Sequence, residues 1–348
     1  MTRVAINGAG RIGRAFLKLA VLQPELEVVA INDLGDIDNI AYLLKYDSVY
    51  GPSGLDVKTE KAGSAPTDAK SIIINGKKVA YLSEKEPAKL PWKDLNVDVV
   101  VESTGFFTSF AGSKAHIDAG AKKVVISAPV KDAPLADVPS RTVLLGINCD
   151  LLSETVISSN ASCTTNAGSP LMAILDKELG IEKALLNTTH AYTASQALVD
   201  APAKKEWREG RAAAQNIVPA STGAAIAVTK VLPQLEGKFD GISLRVPVIA
   251  GSMVDITFIS KRDTTAEEVN AILKKAAADP HWDGIFGATE EQLVSRDILG
   301  SPFGSIADLN FTRVVGGNLV KVMAWYDNEM GYTHTLVKHV IKTGSFLK

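Results

Sequence analysis

Val4-Ala5-Ile6 runs straight into Asn7-Gly8-Ala9-Gly10-Arg11-Ile12-Gly13, and this junction constrains the fold more than any other stretch. The apolar run reads as a strand, and Arg11 to Leu22 reads as a helix with Ile12, Phe16, Leu19 and Ala20 on one face. Glycines spaced G-x-G-x-x-G between a first strand and a first helix open a parallel βαβ unit. They let the turn close and let a pyrophosphate approach backbone N–H groups, where the helix N-terminus attracts its charge. Asp33 stands twenty residues after Gly13, behind a second strand at Val28-Val29-Ala30-Ile31. A carboxylate there accepts from the ribose hydroxyls and repels a 2′-phosphate, so NAD is expected over NADP. The plainer alternative is a glycine turn followed by an unrelated acid.

The same alternation continues to about residue 150. Ile40–Leu44 reads as a short helix, and Ser71–Ile74 and Lys78–Leu82 flank Asn75-Gly76, a hairpin signal. Val97–Val101 and Val124–Ser127 are apolar runs of the kind buried on both faces of a parallel sheet, with a helix near Ser113–Ala119 between them. The segment from Lys61 to Ala69 reads as a surface loop. The second half has fewer helices and longer strands: Lys183–Ala191, Gly241–Val246, Met253–Ser260 and Leu319–Trp325, with helices near Thr222–Val231 and Thr265–Ala277. The expected fold class is α/β: a Rossmann-type doubly wound domain plus an α+β domain with a mostly antiparallel sheet. The expected boundaries are 1–162 for the first domain, completed by a C-terminal helix within 331–348, and 163–330 for the second.

Composition narrows the function class. The 348 residues carry a formal net charge of −2, which gives no general attraction to nucleic acid or to an anionic membrane. Two cysteines, Cys149 and Cys163, make no disulfide framework and suit a reducing cytoplasm. No apolar run is long enough to span a bilayer, the N-terminus lacks the pattern of a signal peptide, and no metal is expected.

Ser159-Asn160-Ala161-Ser162-Cys163-Thr164-Thr165-Asn166 places a thiol among hydroxyls, amides and small residues. A core cysteine usually has Val, Leu or Ile beside it. The stretch after the octet turns apolar and helical, from about Ser169 to Leu179, so the thiol is expected near a helix N-terminus, where the macrodipole favours the thiolate. The octet alone fits both a nucleophile and a small buried cysteine in a polar turn. Of five histidines, His116, His334 and His339 fall in helical patterns and His281 follows a proline, which suits surface or packing roles. His190 closes an apolar strand, and an imidazole can take a thiol's proton near neutral pH. No spacing argument places it beside Cys163. Ser221-Thr222-Gly223 at a helix start suits a phosphate or an ordinary N-cap. Arg245, a cation inside an apolar strand, needs an anionic partner: a phosphate or a structural carboxylate.

Together these segments resemble the phosphorylating glyceraldehyde-3-phosphate dehydrogenase family over nearly the whole chain. The stretches that carry the likeness include Asn7–Arg14, Asn32-Asp33-Leu34, Glu102-Ser103-Thr104-Gly105, Ser127-Ala128-Pro129, the octet, Ser221–Ala225, Arg245-Val246-Pro247 and Trp325-Tyr326-Asp327-Asn328-Glu329-Met330-Gly331-Tyr332. The resemblance implies Cys163 as nucleophile and His190 as its base. It implies Thr193 and Arg245 for the substrate phosphate, and Ser162, Thr164, Thr222, Gly223 and Arg211 for inorganic phosphate. It implies a cofactor set of Asn7, Gly8, Gly10, Arg11, Ile12, Gly13, Asp33, Thr104, Gly105 and Ser127, with Asn328 orienting the carboxamide and Tyr332 packing near the ring. It further implies oxidation of glyceraldehyde 3-phosphate through a cysteine thioester, with inorganic phosphate as second substrate and a homotetramer as the assembly.

The chain departs from the family pattern in places. Ala167 stands where a second cysteine is common, Ala194-Ser195 follows Thr193, Ile226 replaces a common lysine, and Val248–Ser252 differs from the usual run. A sister dehydrogenase acting on erythrose 4-phosphate is the alternative activity; Thr222–Ala225 and Asp33 favour the triose. A non-catalytic NAD-binding scaffold is the alternative of another class, and the retained polar thiol site argues against it.

Overall fold

The computed structural model describes residues 1–61, 70–203 and 206–347. Residues 62–69 of the expected surface loop lie outside the described residues, and Lys61 itself ends a strand. The chain divides into two compact units. One takes Met1–Val143, Cys149–Ala161 and Leu336–Lys348, the other Leu144–Asn148 and Ser162–Thr335.

The first unit contains β1 (Thr2–Asn7), α1 (Arg11–Ala20), β2 (Leu26–Asn32), α2 (Ile37–Lys45), β3 (Val57–Lys61), β4 (Lys70–Ile74), β5 (Lys77–Leu82), β6 (Val99–Glu102), α3 (Phe110–Asp118), β7 (Lys123–Ile126), β8 (Ser140–Thr142) and β9 (Ile157–Ser159). Its sheet runs β3-β4-β5-β2-β1-β6-β7-β9-β8. Every pairing from β5 across to β8 is parallel, and β3-β4-β5 is an antiparallel edge. Asn75 and Gly76 both take positive φ, 51° and 79°, the two-residue turn that suits strand twist. Val99, Val100, Val101, Val124, Val125 and Ile126 are 0% exposed, as continuous apolar runs in a parallel sheet should be. The chain leaves β1 toward β2 on one side and later returns to β6 on the other. Strand order therefore reverses between β1 and β6, and the carboxyl ends of these strands form a topological switch point, where doubly wound sheets bind ligands.

The second unit contains α4 (Cys163–Leu179), β10 (Ile181–Ala191), β11 (Val218–Ser221), α5 (Ala224–Val231), β12 (Phe239–Val246), β13 (Ser252–Ser260), α6 (Ala266–Ala277), β14 (Phe286–Thr289), β15 (Ser305–Asp308), β16 (Arg313–Val315) and β17 (Leu319–Tyr326). The sheet order is β11-β12-β10-β13-β17-β15-β14, with β16 beside β17. All pairings are antiparallel except β10 with β12 and β14 with β15. The helix after the octet begins at Cys163, six residues before the expected start at Ser169. Its sequence contains Gly168 and Pro170, which read as helix breakers. Packing overrides that: Leu171, Met172 and Leu175 are 0% exposed, and a Cβ on Gly168 would stand 3.2 Å from Leu186 Cδ1.

The last helix, α7 (Met330–Ser345), brings His339 into the first unit. His339 is 0% exposed; its Nδ1 lies 3.0 Å from Asn160 Oδ1 and its Nε2 2.8 Å from Ser158 Oγ. The amide oxygen can only accept, so Nδ1 carries the proton and Nε2 accepts from the serine. Burial pushes this imidazole down to about 3. The unfolded chain therefore binds the proton more readily, and stability held above pH 6.5 is lost as pH falls toward 3. His339→Gln is expected to flatten the acid limb of the urea-unfolding free energy between those values. An unchanged slope would show that His339 is not the group responsible.

Candidate active site

The glycine turn is built for close approach. Gly8 has φ +98°, and a Cβ on it would lie 2.7 Å from Thr104 N; a Cβ on Gly13 would lie 1.9 Å from Gly8 O. Gly10 is the N-cap of α1 and offers no side-chain cap, and a Cβ there would meet no atom within 4 Å. An open helix N-terminus without a capping side chain suits an anion of diphosphate type. Asp33 binds Ala9 N–H (2.6 Å) through Oδ2 and Gly35 N–H (2.7 Å) through Oδ1. It thus ties the glycine turn to β2, and each oxygen keeps a lone pair for a ribose hydroxyl. Arg11, expected near pyrophosphate, sends Nη2 to Asp47 Oδ1 at 3.2 Å. Thr104 Oγ1 accepts from Phe106 N–H (3.1 Å), and Ser127 N–H donates to Glu102 O (2.9 Å). Asn7 and Ile12 flank the turn, at the end of β1 and in the first turn of α1. These features fit a bound dinucleotide.

The thiol lies in the second unit. Ser162 caps α4, its Oγ accepting from Thr165 N–H at 3.0 Å, and Cys163 is the first helical residue. His190 sits at the carboxyl end of β10. The parallel pairing of β10 with β12 sets His190 directly opposite Arg245. The structure brings all three together: Cys163 Sγ lies 3.3 Å from His190 Nε2, and Arg245 Nη1 lies 2.5 Å from His190 Nδ1 and 3.4 Å from Ala191 O. His190 Nδ1 is also 2.6 Å from Ala191 O. The carbonyl can only accept and the guanidinium can only donate, so they compete for Nδ1: with Nδ1–H on Ala191 O, Nε2 is the acceptor facing the thiol, and with Nδ1 accepting from Arg245, Nε2 carries the proton.

Burial pushes the Cys163 thiol up from its ordinary value, while the Arg245 charge, the Thr164 hydroxyl and the backbone N–H groups at the helix start pull it down. Burial first, then the Arg245 charge, push His190 down to about 3. Both net shifts favour thiol and neutral imidazole. The ionised pair read from the helix N-terminus alone therefore meets opposition from desolvation and from the neighbouring guanidinium.

Other expected residues are placed differently. Thr164 is 4% exposed and its hydroxyl pairs with Tyr326 Oη at 2.9 Å, while the Ser162 hydroxyl serves as the helix cap. Thr193 Oγ1 pairs with Ser195 Oγ at 3.0 Å, so the departure at Ser195 supplies a partner. Arg211 sends Nε to Asp200 Oδ2 at 2.9 Å. Thr222 Oγ1 accepts from Ala224 N–H at 3.1 Å, a short turn just before α5, while the N-cap itself is Gly223 and has no side-chain cap. Val218 pairs with Arg245 and Ser221 with Ile242, so Thr222 follows a strand leading away from the guanidinium. Asn328 Oδ1 accepts from Gly251 N–H and Ser252 Oγ, both at 3.0 Å, which assigns the NH2 as its donor end. Ser252 Oγ in turn accepts from Ala191 N–H at 3.1 Å, linking Asn328 to the histidine's strand. Tyr332 is 3% exposed, and its N–H donates to Asp327 O at 3.2 Å.

Tyr326 belongs to the site, and no local signal in the sequence singles it out. Its hydroxyl joins Thr164 Oγ1 (2.9 Å) to Thr188 Oγ1 (2.8 Å), and its ring meets that of His190 edge-on with centroids 5.8 Å apart. Thr188 is two residues before His190, and Thr164 follows the thiol, so this phenol ties both partners. The signal available is position alone: Tyr326 lies in the Trp325–Tyr332 stretch, but its bonds are non-local. Tyr326→Phe leaves two buried hydroxyls short of a partner and is expected to destabilise the chain by about 1–3 kcal/mol in urea unfolding. A change below about 0.3 kcal/mol would contradict this bridging role.

Comparison with known proteins agrees with this arrangement. Residues 2–110 match the model of the NAD binding domain of glyceraldehyde 3-phosphate dehydrogenase, and residues 162–328 match the model of its C-terminal domain. A glyceraldehyde-3-phosphate dehydrogenase of Streptomyces coelicolor is 46% identical over 348 residues, covering 99% of each chain. Glyceraldehyde-3-phosphate dehydrogenase 3 of Saccharomyces cerevisiae is 45% identical over 347 residues, covering 98% of this chain and 100% of the yeast protein. One from Trichormus variabilis is 46% identical over 337 residues, covering 96% of this chain and 94% of that protein. With both domain models matched and near-complete coverage, the chain belongs to the glyceraldehyde-3-phosphate dehydrogenase family.

Proposed function

We propose that this chain is an NAD-dependent enzyme that oxidises glyceraldehyde 3-phosphate and transfers the acyl group to inorganic phosphate, giving 1,3-bisphosphoglycerate. The observation that carries the reading is the contact of Cys163 Sγ with His190 Nε2 at 3.3 Å, with Arg245 against the far side of the ring. Cys163 adds to the aldehyde carbon as its proton passes to His190 Nε2, and the imidazolium returns that proton to the new alkoxide, giving the hemithioacetal hydroxyl and a neutral ring. The substrate phosphate pairs with Arg245, assisted by Thr193. That pairing neutralises the guanidinium beside His190 and removes one of the two causes that hold its proton affinity down. His190 then takes the hydroxyl proton of the hemithioacetal. NAD, when bound, accepts the hydride from the same carbon. The resulting thioester on Cys163 is attacked by inorganic phosphate, whose charge suits the backbone N–H groups at the start of α4; the carbon–sulfur bond breaks, and the sulfur leaves as the thiolate and regains its proton from His190 Nε2. The Asn328 NH2 is the donor available to orient the cofactor's carboxamide.

Arg11, Ser162, Thr164, Arg211 and Thr222 already bond to Asp47, Thr165, Tyr326, Asp200 and Ala224, so any role toward substrate or cofactor is shared with these partners or replaces them. The reaction leaves Cys149 unused. The free state of both cysteines suits a reducing compartment, and we place the enzyme in the cytoplasm. No helix among the described residues is long and apolar enough to cross a membrane.

The assembly we propose is a homotetramer. Leu185 on β10 and Ile242 on β12 are 66% and 58% exposed on one side of the sheet, where β10 and β12 are paired neighbours. Two exposed aliphatic side chains on one sheet face, among Lys183, Asn187, Thr189 and Asp240, suit cover by another chain. Light scattering should give four times the 36.9 kDa chain mass, and a monomeric mass at micromolar concentration would reject the assembly.

Cys163→Ser is expected to lower NAD reduction by roughly a thousandfold or more, as loss of an essential nucleophile does, while calorimetry still detects NAD binding. In the wild type, reduction should require the triose phosphate, increase with inorganic phosphate, and be weaker with NADP or with erythrose 4-phosphate. A Cys163→Ser enzyme that retains turnover, or a wild type that oxidises only the tetrose, would refute the assignment.

A further inference from the structure

A second buried cluster lies beneath the switch point of the first unit. Glu102 ends β6 and is 1% exposed. Its Oε1 accepts from Thr104 N–H at 2.8 Å and from Thr104 Oγ1 at 2.5 Å. Its Oε2 accepts from Asn7 Nδ2 at 2.6 Å and lies 3.0 Å from His116 Nε2. Trp92 Nε1 lies 3.0 Å from His116 Nδ1, and an indole N–H can only donate. His116 Nδ1 is therefore the acceptor, and the ring proton sits on Nε2, aimed at Glu102. His116 is 0% exposed and Asn7 is 1% exposed. Asn7 Oδ1 accepts from Asn32 Nδ2 at 2.7 Å, and Asn32 Oδ1 accepts from Glu84 N–H at 2.8 Å.

The cluster gives a buried carboxylate four donors and no Lys or Arg. Desolvating such a group costs several kcal/mol, and only a full set of hydrogen bonds offsets it. Its donors come from either side of the switch point. Asn7 immediately precedes Gly8, and Thr104 opens the loop after β6. These are the two backbones that approach so closely that a Cβ on Gly8 would stand 2.7 Å from Thr104 N.

We propose that Glu102 is a positioning residue that presets the spacing of the Gly8 turn and the Thr104–Gly105 loop for the dinucleotide, with His116 as a neutral donor held in one tautomer by Trp92. The proposal rests on the reading of these two loops as walls of the cofactor site. The carboxylate, rather than its shape, is what matters. In Glu102→Gln the amide oxygen can keep both Thr104 donors, but the NH2 then faces the Asn7 NH2 and the His116 N–H. Donor meets donor on one side of the cleft only.

Titration calorimetry of NAD into Glu102→Gln is expected to show a Kd roughly tenfold higher, the size expected when buried donors lose their acceptor. KM for NAD should rise with it, while kcat at saturating NAD and KM for the triose phosphate change less than about threefold. A folded Glu102→Gln protein with wild-type Kd overturns the proposal. Should Glu102→Gln fail to fold, Trp92→Phe removes the donor that fixes the tautomer together with part of a buried ring; it should weaken NAD binding, and an unchanged Kd overturns the proposal equally. Hydrogen exchange in the wild type separates the two levels. If NAD does not slow exchange over residues 103–107, the reading of the loop as a cofactor wall fails. If NAD does slow it and Glu102→Gln still binds normally, only the positioning role fails.

Discussion

The meeting of Cys163 and His190 depends on where α4 begins and where β10 ends. A thiol–imidazole hydrogen bond contributes about 1 kcal/mol net, too little to place two chain segments. Packing places them. Leu171, Met172 and Leu175 of α4 are 0% exposed, and each such side chain contributes roughly 1.5–3 kcal/mol through burial. The close seat of Gly168 on Leu186 fixes the helix against the strand that carries His190 near its carboxyl end. The Ser162 cap then defines the first turn, and the thiol falls at its head. The chemistry sits on elements whose positions are set by the hydrophobic core, so its geometry does not depend on its own weak bonds.

The same β-sheet register creates the electrostatic problem of the site. Pairing His190 with Arg245 across β10 and β12 sets a permanent cation against an imidazole that must hold a proton in the proposed reaction. Alone, that arrangement works against a general base. It makes sense when the cation has an anionic partner during the reaction, and a phosphorylated substrate brings one. Short hydroxyls also surround the thiol, and the proposed reaction with two phosphates would use them. Two of them serve the fold in this structure: Ser162 caps α4, a common use of Ser at helix starts, and Thr164 bridges to Tyr326.

Much of this is legible in the residues. The glycine turn, the valine-rich strands and the Asn75-Gly76 hairpin announce themselves through local chemistry. Cys163 stands out because its neighbours are polar, and His190 because it closes a strand. What cannot be read is set by distant partners. Arg245 opposite His190 is a parallel pairing of segments 55 residues apart. Tyr326 reaches Thr164 across 162 residues. Local signals misplace the start of α4 because Gly168 and Pro170 argue against a helix, while burial of the whole segment decides for one. The helical pattern around His116 points to packing. The residue is buried, but as one member of a polar cluster whose other members, Glu102, Asn7 and Trp92, come from three other segments.

The most direct measurement is the mass of the protein after one turnover without inorganic phosphate. Mixed with NAD and glyceraldehyde 3-phosphate, each chain should form one NADH and retain one phosphoglyceroyl group, located by peptide mapping on Cys163. Adding phosphate should remove it. NADH formed with no acyl group on the protein, or with the group on any residue other than Cys163, would contradict the account at its centre.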